Sequence, residues 1–266
     1  MTRYSPRRGF AALVLLPLAA CSIRDENGDT EPRVSICEPM VFEDARFTHC
    51  TARPGEHAIA TELSPDDSDE PYRSFDALAE DMGEVELSHV ALAMNGGMFN
   101  PDGFPIGYYV EDALRFTVLN QNEGPGNFHM LPNGVFFGES TEGPWLVWET
   151  ERFADSIDQR PEFATQSGPM LVISGDLHPA IENDGPSRTN RNAVGVDAAG
   201  RAHFVISDDP VSLGKLARLY RDVLGVNNAL SLDGTVSLLW DPASDRMDRG
   251  EPIGPIILVT DRTTDQ

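Results

Sequence analysis

Asp233 is the carboxylate in this sequence whose setting raises the clearest chemical question. It lies in the stretch NALSLDGTVSLLW, residues 228–240, where two apolar, β-favouring runs flank Asp233-Gly234. A two-residue Asp-Gly loop is the strongest short signal of a β-hairpin. Asp233 could therefore serve only the turn, or it could present a carboxylate at a strand end for catalysis. The neighbouring residues fit both interpretations.

Asn95-Gly96-Gly97 directly follow an apolar run, residues 90–94, that predicts a strand. Consecutive glycines let the backbone adopt positive φ and leave no Cβ to block a ligand. Successive amides in such a turn can form a concave nest that binds anions. An ordinary tight turn is the alternative, and these residues taken alone favour it.

Arg191 and Ser167 are further candidate polar contacts. Arg188 and Arg191 stand just before an apolar strand, where a planar guanidinium could bind two phosphate oxygens. A surface salt bridge is the simpler interpretation of either arginine alone. Ser167, in QSGPMLV, is not part of a Gly-x-Ser-x-Gly elbow, and no histidine stands at a suggestive spacing. Its predicted role is therefore hydrogen bonding and not nucleophilic attack.

The sequence offers little that could hold a metal. The histidines form no i, i+4 pair and no spacing typical of a metal site. Asp208-Asp209, just before the main predicted helix, could complement the N-terminal dipole of that helix or hold a divalent cation. Capping is the preferred interpretation, so no cofactor is predicted beyond a possible divalent cation.

The elements that must position these residues are mostly short strands. Apolar runs alternate with Gly, Pro, Asn and Asp, and they predict strands at 57–63, 90–94, 106–110, 114–119, 134–137, 145–148, 170–173, 193–196, 203–206, 229–232, 236–240 and 256–259. Helices are predicted at 72–82 and 151–157, and most clearly at 212–225, between an N-cap at Ser212 and Gly225. With no regular βαβ order, the fold class is α+β, with mixed or antiparallel sheets and a few packed helices in a single domain.

The N-terminal residues predict export. A basic start and the apolar stretch GFAALVLLPLAA are followed by small residues just before Cys21, which is the pattern of a bacterial lipoprotein signal. We expect a signal peptide at 1–20, acylation of Cys21, a flexible polar tether at 21–34 and a folded domain at 35–266. The predicted location is the cell envelope, on the periplasmic side of the outer or inner membrane.

The charge balance excludes some partners. The chain has 20 basic and 43 acidic residues, a net charge of −23, and such a surface repels nucleic acid and anionic lipid. A small anionic substrate remains possible if a few arginines are focused in one cleft.

Cys37 and Cys50 lie close together near the start of the predicted domain. In an oxidising compartment a disulfide between them is the natural expectation. A pair of free thiols is the alternative, and two cysteines without matched histidines make a poor zinc site.

Five segments, in this order and at this spacing, resemble the phosphodiester glycosidase domain family. They are AMNGGMF (93–99), GNFHMLPNGVFF (126–137), QSGPMLV (166–172), RNAVGV (191–196) and NALSLDGTVS (228–237). The resemblance covers roughly residues 37–262. It implies a hydrolase that cleaves the bond between the anomeric carbon of a sugar and a phosphate, acting on a small carbohydrate or glycan phosphodiester.

The resemblance also implies which residues form the site. The motif matches are the Asn-Gly-Gly turn at 95–97, the Ser of Ser-Gly-Pro at Ser167, the arginine at Arg191, and Asp233-Gly234 of Leu-Asp-Gly. Thr235 stands where many members have glycine, and Met98 where phenylalanine is common. Both departures lie beside the expected pocket, so the resemblance does not identify the sugar that the pocket binds.

The chemistry of a glycosyl phosphate fits these residue types. Its cleavage passes through an oxocarbenium-like transition state. A carboxylate near the anomeric carbon either stabilises this state or activates the attacking water. The leaving phosphodiester is weakly basic, so charge stabilisation matters more than a strong general acid. We therefore predict Asp233 as the catalytic carboxylate, both a hairpin turn residue and a cleft residue, with Arg191 and Asn95 assisting. The expected substrate contacts are Gly96, Gly97, Ser167 and Gly234, with Glu111 and Asp208 as possible second carboxylates.

Two other functions are compatible with the same residues. One is a non-catalytic envelope lipoprotein that binds glycans or polysaccharide-assembly partners in the cleft. The other is a metal-dependent phosphodiesterase that cuts the P–O bond on the other side, which would release a sugar phosphate and not a free sugar.

Overall fold

The computed structural model describes residues 33–262. The predicted signal peptide, Cys21 and the tether up to residue 32 lie outside the described residues. Within them the strands are β1 (Cys37–Phe42), β2 (Ala45–Ala52), β3 (His57–Glu62), β4 (Val90–Asn95), β5 (Tyr109–Glu111), β6 (Leu114–Thr117), β7 (Gly134–Gly138), β8 (Trp145–Glu149), β9 (Phe163–Ser167), β10 (Met170–Ile173), β11 (Asp176–Leu177), β12 (Asn192–Val196), β13 (Ala202–Ser207), β14 (Asn228–Asp233), β15 (Leu239–Asp241), β16 (Arg246–Met247) and β17 (Ile256–Asp261).

Four helices accompany the strands in the part of the chain that the structure describes. They are α1 (Phe75–Asp81), α2 (Glu84–His89), α3 (Thr150–Ser156) and α4 (Leu213–Arg218), which continues as a π-helical turn over Leu219–Val223. The Ser212 hydroxyl accepts a hydrogen bond from the amide of Lys215 at 3.1 Å, and Gly225 ends the helical segment at φ 64°. The N-cap and the left-handed glycine predicted for this helix are confirmed. No helix among residues 33–262 has the length and apolarity needed to cross a membrane.

The strands form three sheets, in which every pairing between neighbouring strands is antiparallel. Sheet 1 has the order β1-β2-β13-β12-β14-β10-β11, sheet 2 the order β16-β15-β4-β17-β3, and sheet 3 the order β6-β5-β9-β7-β8. The predicted α+β class with antiparallel sheets is confirmed.

The largest apolar cluster lies where the three sheets meet. Leu230 of sheet 1, Ile257 of sheet 2 and Phe136 of sheet 3 belong to this one cluster and are at most 1% exposed. Burial of a side chain of this size contributes about 1.5–3 kcal/mol relative to leaving it in water. A second cluster packs Leu216 and Tyr220 of the α4 segment against sheet 1. Sheet 1, which carries the strand end with Asp233, is therefore packed on both faces.

The hairpin predicted at Asp233-Gly234 is wrong. β14 pairs with β10 and β12 in sheet 1, whereas β15 pairs with β4 and β16 in sheet 2. The connection between β14 and β15 therefore leads from one sheet to another. Its backbone finds partners on β4, as described below, and this long-range pairing replaces the local one that Asp-Gly predicts.

Cys37 and Cys50 form the expected disulfide. The two residues stand directly opposite each other on β1 and β2, so the bond ties the edge strand of sheet 1 to its neighbour.

Candidate active site

The carboxylate of Asp233 is held by its own turn at the end of β14. One oxygen, Oδ1, accepts hydrogen bonds from the amides of Thr235 at 2.7 Å and Val236 at 3.1 Å. The other oxygen, Oδ2, has no hydrogen-bond partner within residues 33–262. Asp233 is only 6% exposed, and what remains exposed faces a cleft. The turn thus uses one carboxylate oxygen and leaves the other for a ligand.

The cleft has a volume of about 650 Å³ and a mixed lining of apolar and charged side chains. Its lining residues are Arg73, Met98, Phe99, Ile106, Asp233, Thr235, Val236, Glu251 and Pro252. Met98 and Thr235, the two positions that depart from the family pattern, therefore line the same cleft as the predicted catalytic carboxylate. We call this space the Asp233 cleft.

Burial raises the pKa of the Asp233 carboxyl, while hydrogen bonds from the amides of residues 234–236 favour its charged form and partly offset the shift. No arginine, lysine or histidine forms an ion pair with Asp233 among the described residues. The carboxylate is therefore more basic than a solvated aspartate, and no cation of the protein neutralises it.

Two buried asparagines fix the position of this turn. Asn192, at the start of β12, donates from Nδ2 to the main-chain O and to Oδ1 of Asn95, both at 2.9 Å. Its own Oδ1 accepts from the amide of Asp233 at 2.9 Å. Asn95, at the end of β4, donates to Val236 O at 2.7 Å and accepts from the amide of Leu238 at 2.8 Å. The pair therefore joins sheet 1, sheet 2 and the 233–238 connection.

Asn95 is a positioning residue in this arrangement. It is 1% exposed, and both ends of its side-chain amide are used by the protein. The prediction that it assists catalysis by contacting the substrate is not supported by this geometry, because the contacts it makes hold the Asp233 turn.

The amides of Gly96 and Gly97 do not form the anion nest that was one of the two interpretations of this turn, and neither is free to contact a substrate. The Gly96 amide donates to Pro255 O at 2.7 Å, and the Gly97 amide donates to Thr165 Oγ1 at 3.0 Å. Neither glycine has positive φ. A Cβ on Gly97 would lie 2.6 Å from Thr165 Oγ1, so glycine is needed here for the close approach of this turn to β9.

Ser167 and Thr189 donate hydrogen bonds to the main chain of the same turn, at Leu232 and Gly234. The buried hydroxyl of Ser167, on β9, donates to Leu232 O, and this bond ties sheet 3 to β14 next to Asp233. Thr189 donates from Oγ1 to Gly234 O at 3.2 Å. The hydrogen-bonding role predicted for Ser167 is thus a structural one, one residue from the catalytic candidate.

Arg191 lies beside the Asp233 turn but in a different hollow. Its guanidinium donates from Nε to Val211 O at 2.8 Å and from Nη2 to Ser187 O and Oγ at 3.1 Å. The residue is 1% exposed, Nη1 is buried without a partner, and burial lowers the pKa of the guanidinium. It lines a hollow of about 180 Å³ together with Ser187 and Asn127.

The two hollows flank the turn. Asn127 lies close to Gly234, since a Cβ on Gly234 would be 2.6 Å from Asn127 Nδ2, whereas Asp233 and Thr235 line the larger cleft. The expectation that Arg191 and Asp233 share one cleft is therefore wrong. The neighbouring Asn192 is the residue that contacts Asp233.

Asp208 does not reach the Asp233 cleft. Its carboxylate pairs with Arg246 Nη1 at 3.2 Å and accepts from Thr48 Oγ1 at 3.1 Å, and its neighbour Asp209 forms a two-bond pair with Arg46. These carboxylates are occupied by arginines. Among residues 33–262, no three His, Cys, Asp or Glu side chains converge to hold a metal ion.

Glu111 also lies elsewhere, on β5 of sheet 3. It accepts a hydrogen bond from the Tyr109 hydroxyl at 2.6 Å, and burial raises its pKa to about 7. Nearby Glu62 borders a separate acidic hollow of about 770 Å³. Burial and the charge of Glu111 raise the pKa of Glu62 to about 8. This hollow is thus acidic, and none of the predicted site residues lines it.

Two charged residues that line the Asp233 cleft, Glu251 and Arg73, are not predicted from the sequence. Glu251 lies in RGEPIGPII, next to a Gly-Pro turn, which is a signal for an exposed loop near a strand start. Arg73 precedes the N-cap Ser74 of α1 and belongs to no motif. Only the tertiary fold brings it to Asp233.

The family model described as phosphodiester glycosidase matches residues 88–257. The uncharacterized protein YigE of Escherichia coli (strain K12) is 30% identical over 234 residues, which cover 88% of this chain and 85% of that protein.

Two solved structures are also similar. The catalytic domain of zebrafish N-acetylglucosamine-1-phosphodiester alpha-N-acetylglucosaminidase, auto-inhibited by its pro-peptide, has a TM-score of 0.57 at 14% identity, covering 85% of this chain and 82% of that one. A hypothetical protein from Synechocystis has a TM-score of 0.53 at 15% identity, covering 85% and 61%. At these identities the likeness shows a shared fold.

The asparagine pair leads to a stability prediction. Replacing Asn192 with Ala should lower the free energy of unfolding by about 2–3 kcal/mol, because buried groups on Asn95 and Asp233 lose their partners. Chemical denaturation measures this difference. Asn122→Ala, at an exposed asparagine, is the control, and equal stability of the two variants would contradict the role assigned to the pair.

Glu62 leads to a pH prediction. Its folded pKa, about 8, lies above the unfolded value of 4.5, so folding favours the protonated form. The associated stability is fully present below pH 4.5 and is lost as the pH rises toward 8. Glu62→Gln should therefore become more stable than the wild type by about 2–3 kcal/mol at pH 8, with partial exposure limiting the effect.

Denaturant unfolding at pH 5 and pH 8 measures this change, and Glu70→Gln, at an exposed glutamate, is the control. A wild-type to Glu62→Gln difference that is the same at both pH values would show that Glu62 ionises normally.

Proposed function

Because the chain belongs to the phosphodiester glycosidase family, we propose that it is a hydrolase that cleaves the glycosyl–phosphate bond of a sugar-1-phosphodiester, with Asp233 as its catalytic carboxylate. The observation that carries this proposal is the state of Asp233: a buried carboxylate with one oxygen fixed by main-chain amides and the other facing a cleft, without a cation of the protein paired to it. The zebrafish structural relative is named for action on a sugar-1-phosphodiester, which supports the substrate class.

The raised pKa of Asp233 supports a role as proton acceptor. In the proposed step, water adds its oxygen to the anomeric carbon while the bond from that carbon to the phosphate oxygen breaks. The electron pair of the broken bond leaves on the phosphate, and Asp233 takes the proton that the water loses. The proton then passes to solvent, so the products are a free sugar and a phosphate monoester. The negative carboxylate also stabilises the positive charge that develops on the sugar.

The fixed orientation of Asp233 fits this role. A carboxylate that had to be ordered on binding would lose part of its effect, whereas here the turn, Asn192 and Asn95 hold it before a substrate arrives. Glu251 lines the same cleft, and we assign it to accepting hydrogen bonds from the hydroxyl groups of the sugar. Arg191, in the adjacent hollow, is assigned no part in the proton transfer.

Replacing Asp233 with Asn tests the catalytic role. An amide oxygen can still accept the hydrogen bonds from Thr235 and Val236, so the variant should fold, while the loss of the base should lower kcat by about 10²–10⁴-fold. Asp245→Asn, at an exposed turn residue, is the matched control. Mass spectrometry of products from a library of sugar-1-phosphodiesters gives the readout, and unchanged turnover in Asp233→Asn would remove Asp233 from the mechanism.

The same assay in ¹⁸O-labelled water identifies the bond that breaks. Cleavage at the anomeric carbon puts the label in the free sugar. Label in the phosphate, with release of a sugar phosphate, would indicate the alternative phosphodiesterase. Binding across the library without turnover would favour the alternative of a non-catalytic glycan-binding or polysaccharide-assembly lipoprotein.

We also propose that the protein acts in the cell envelope as a lipoprotein anchored through Cys21. The support is the signal-like sequence at 1–20 and the Cys37–Cys50 disulfide, which suits an oxidising compartment. Cys21→Ser should shift the full-length protein from the membrane fraction to the soluble fraction, because it loses the acylated thiol. Immunoblotting of cell fractions measures the shift, and retention of the variant in membranes would contradict this anchor.

A further inference from the structure

Arg73 is the cationic side chain that lines the Asp233 cleft among the described residues. Many arginines of this acidic chain are paired with carboxylates, as Arg46 is with Asp209 and Arg249 with Asp76. Arg73 forms no ion pair within residues 33–262, although Asp233 and Glu251 line the same cleft. Its charge is therefore available to an anion bound there.

The guanidinium of Arg73 is held in place by the 99–103 loop. Nη2 donates to Pro101 O at 3.2 Å, and Cζ lies 5.3 Å from the centroid of the Phe99 ring, a distance that allows a cation–π contact. Gly103 gives the side chain its room, since a Cβ there would meet Nη1 and lie 2.8 Å from Arg73 Cδ. A cation fixed in this way loses little conformational freedom when a ligand binds.

The side chain also has donors to spare. Only Nη2 has a hydrogen-bond partner among the described residues, so Nε and Nη1 have none, and Nη1 is buried. A donor buried without a partner is unfavourable. An oxygen-bearing anion in the cleft would provide acceptors for such a guanidinium.

The backbone of Arg73 is itself unusual. Its φ is 64°, the left-handed region that a residue with a Cβ adopts at a cost. The amide of Ile253 donates to Arg73 O at 3.0 Å, which pins this conformation next to the cleft residues Glu251 and Pro252. The fold thus maintains a strained residue at the position from which its side chain reaches the cleft.

We propose that Arg73 binds the phosphate group of the substrate and selects phosphodiesters over uncharged glycosides. The selectivity part of this inference rests on the proposed hydrolase function. The phosphate-binding part rests only on the geometry of the Asp233 cleft. A phosphate near Asp233 would be repelled by that carboxylate, and Arg73 offsets the repulsion. Arg73 lies outside residues 88–257, the part that matches the family, so this contact comes from the preceding segment of the chain.

The binding test uses the full chain and dimethyl phosphate, an anionic phosphodiester without a sugar. Its affinity, measured by ³¹P NMR titration, should fall at least tenfold in Arg73→Gln, which is the size expected for loss of a charge-assisted contact. Arg152→Gln is the matched control, because Arg152 also stacks on an aromatic ring, 4.5 Å from the Trp148 centroid, away from the cleft. Its affinity should equal that of the wild type.

Arg73→Lys keeps the positive charge but loses the planar fork, and it should also weaken binding. Thermal unfolding verifies that each variant is folded. If Arg73→Gln does not fold, the affinity of Arg73→Lys relative to the wild type tests the inference. Equal affinity in the wild type and in the folded Arg73 variants would overturn the inference, as would a wild type that does not bind dimethyl phosphate.

The selectivity test compares two substrates of the same sugar. Arg73→Gln should lose at least tenfold in kcat/KM on the sugar-1-phosphodiester and little on the corresponding nitrophenyl glycoside. Equal losses on both would overturn the selectivity. A wild type that binds dimethyl phosphate through Arg73 but turns over no substrate would refute the proposed hydrolase and leave the anion site supported.

Discussion

The buried amide pair formed by Asn95 and Asn192 holds the site together. Asn95 Oδ1 accepts from both Asn192 and the amide of Leu238, while its Nδ2 donates to Val236 O. Asn192 Oδ1 completes the set by accepting from the amide of Asp233. An aliphatic side chain could not replace either residue, because each one supplies a donor and an acceptor where no water reaches, and unpaired buried polar groups cost about 1–3 kcal/mol each. Through this pair the ends of β4, β12 and β14 form one rigid junction.

The electrostatics of the junction separate it from the rest of this acidic molecule. Asp208 and Asp209 are paired with arginines, and the Arg46 contact holds the pKa of Asp209 below its usual range. Asp233 instead receives only main-chain amides, so burial raises its pKa without a neutralising partner. A buried carboxylate without a neutralising partner is typical of functional sites.

Local signals in the sequence predicted the elements whose causes are local. The α4 segment followed from the Ser212 cap and Gly225, and most central strands followed from their apolar runs. β2 and β9 were missed, because ARFTHCTA and FATQS contain polar residues that are buried only in the tertiary fold. Asp-Gly predicted a hairpin, but the strand after it found its partner on β4, more than a hundred residues earlier in the chain.

The candidate site was also predicted only in part from the sequence. Motif order identified Asp233, Asn95 and Ser167 as neighbours, and the fold places all three at one junction. The sequence could not show that the Gly96 and Gly97 amides are already bonded, nor that Arg191 lines a different hollow from Asp233, because both facts depend on the tertiary fold. No sequence motif indicates a role for Arg73. Its side chain is held at the cleft by contacts with the 99–103 loop, and these contacts exist only in the tertiary fold.

The placement of β17 has a consequence for how the protein matures. This strand, Ile256–Asp261, lies between β3 and β4 in sheet 2, and Ile256 stands opposite Asn95. Contacts between such distant parts of a chain form slowly. A chain emerging from the ribosome therefore cannot complete sheet 2 beside Asn95 until β17 has been synthesised. The cleft, whose lining includes Glu251 and Pro252 just before β17, is likewise complete only once this segment has packed against β4.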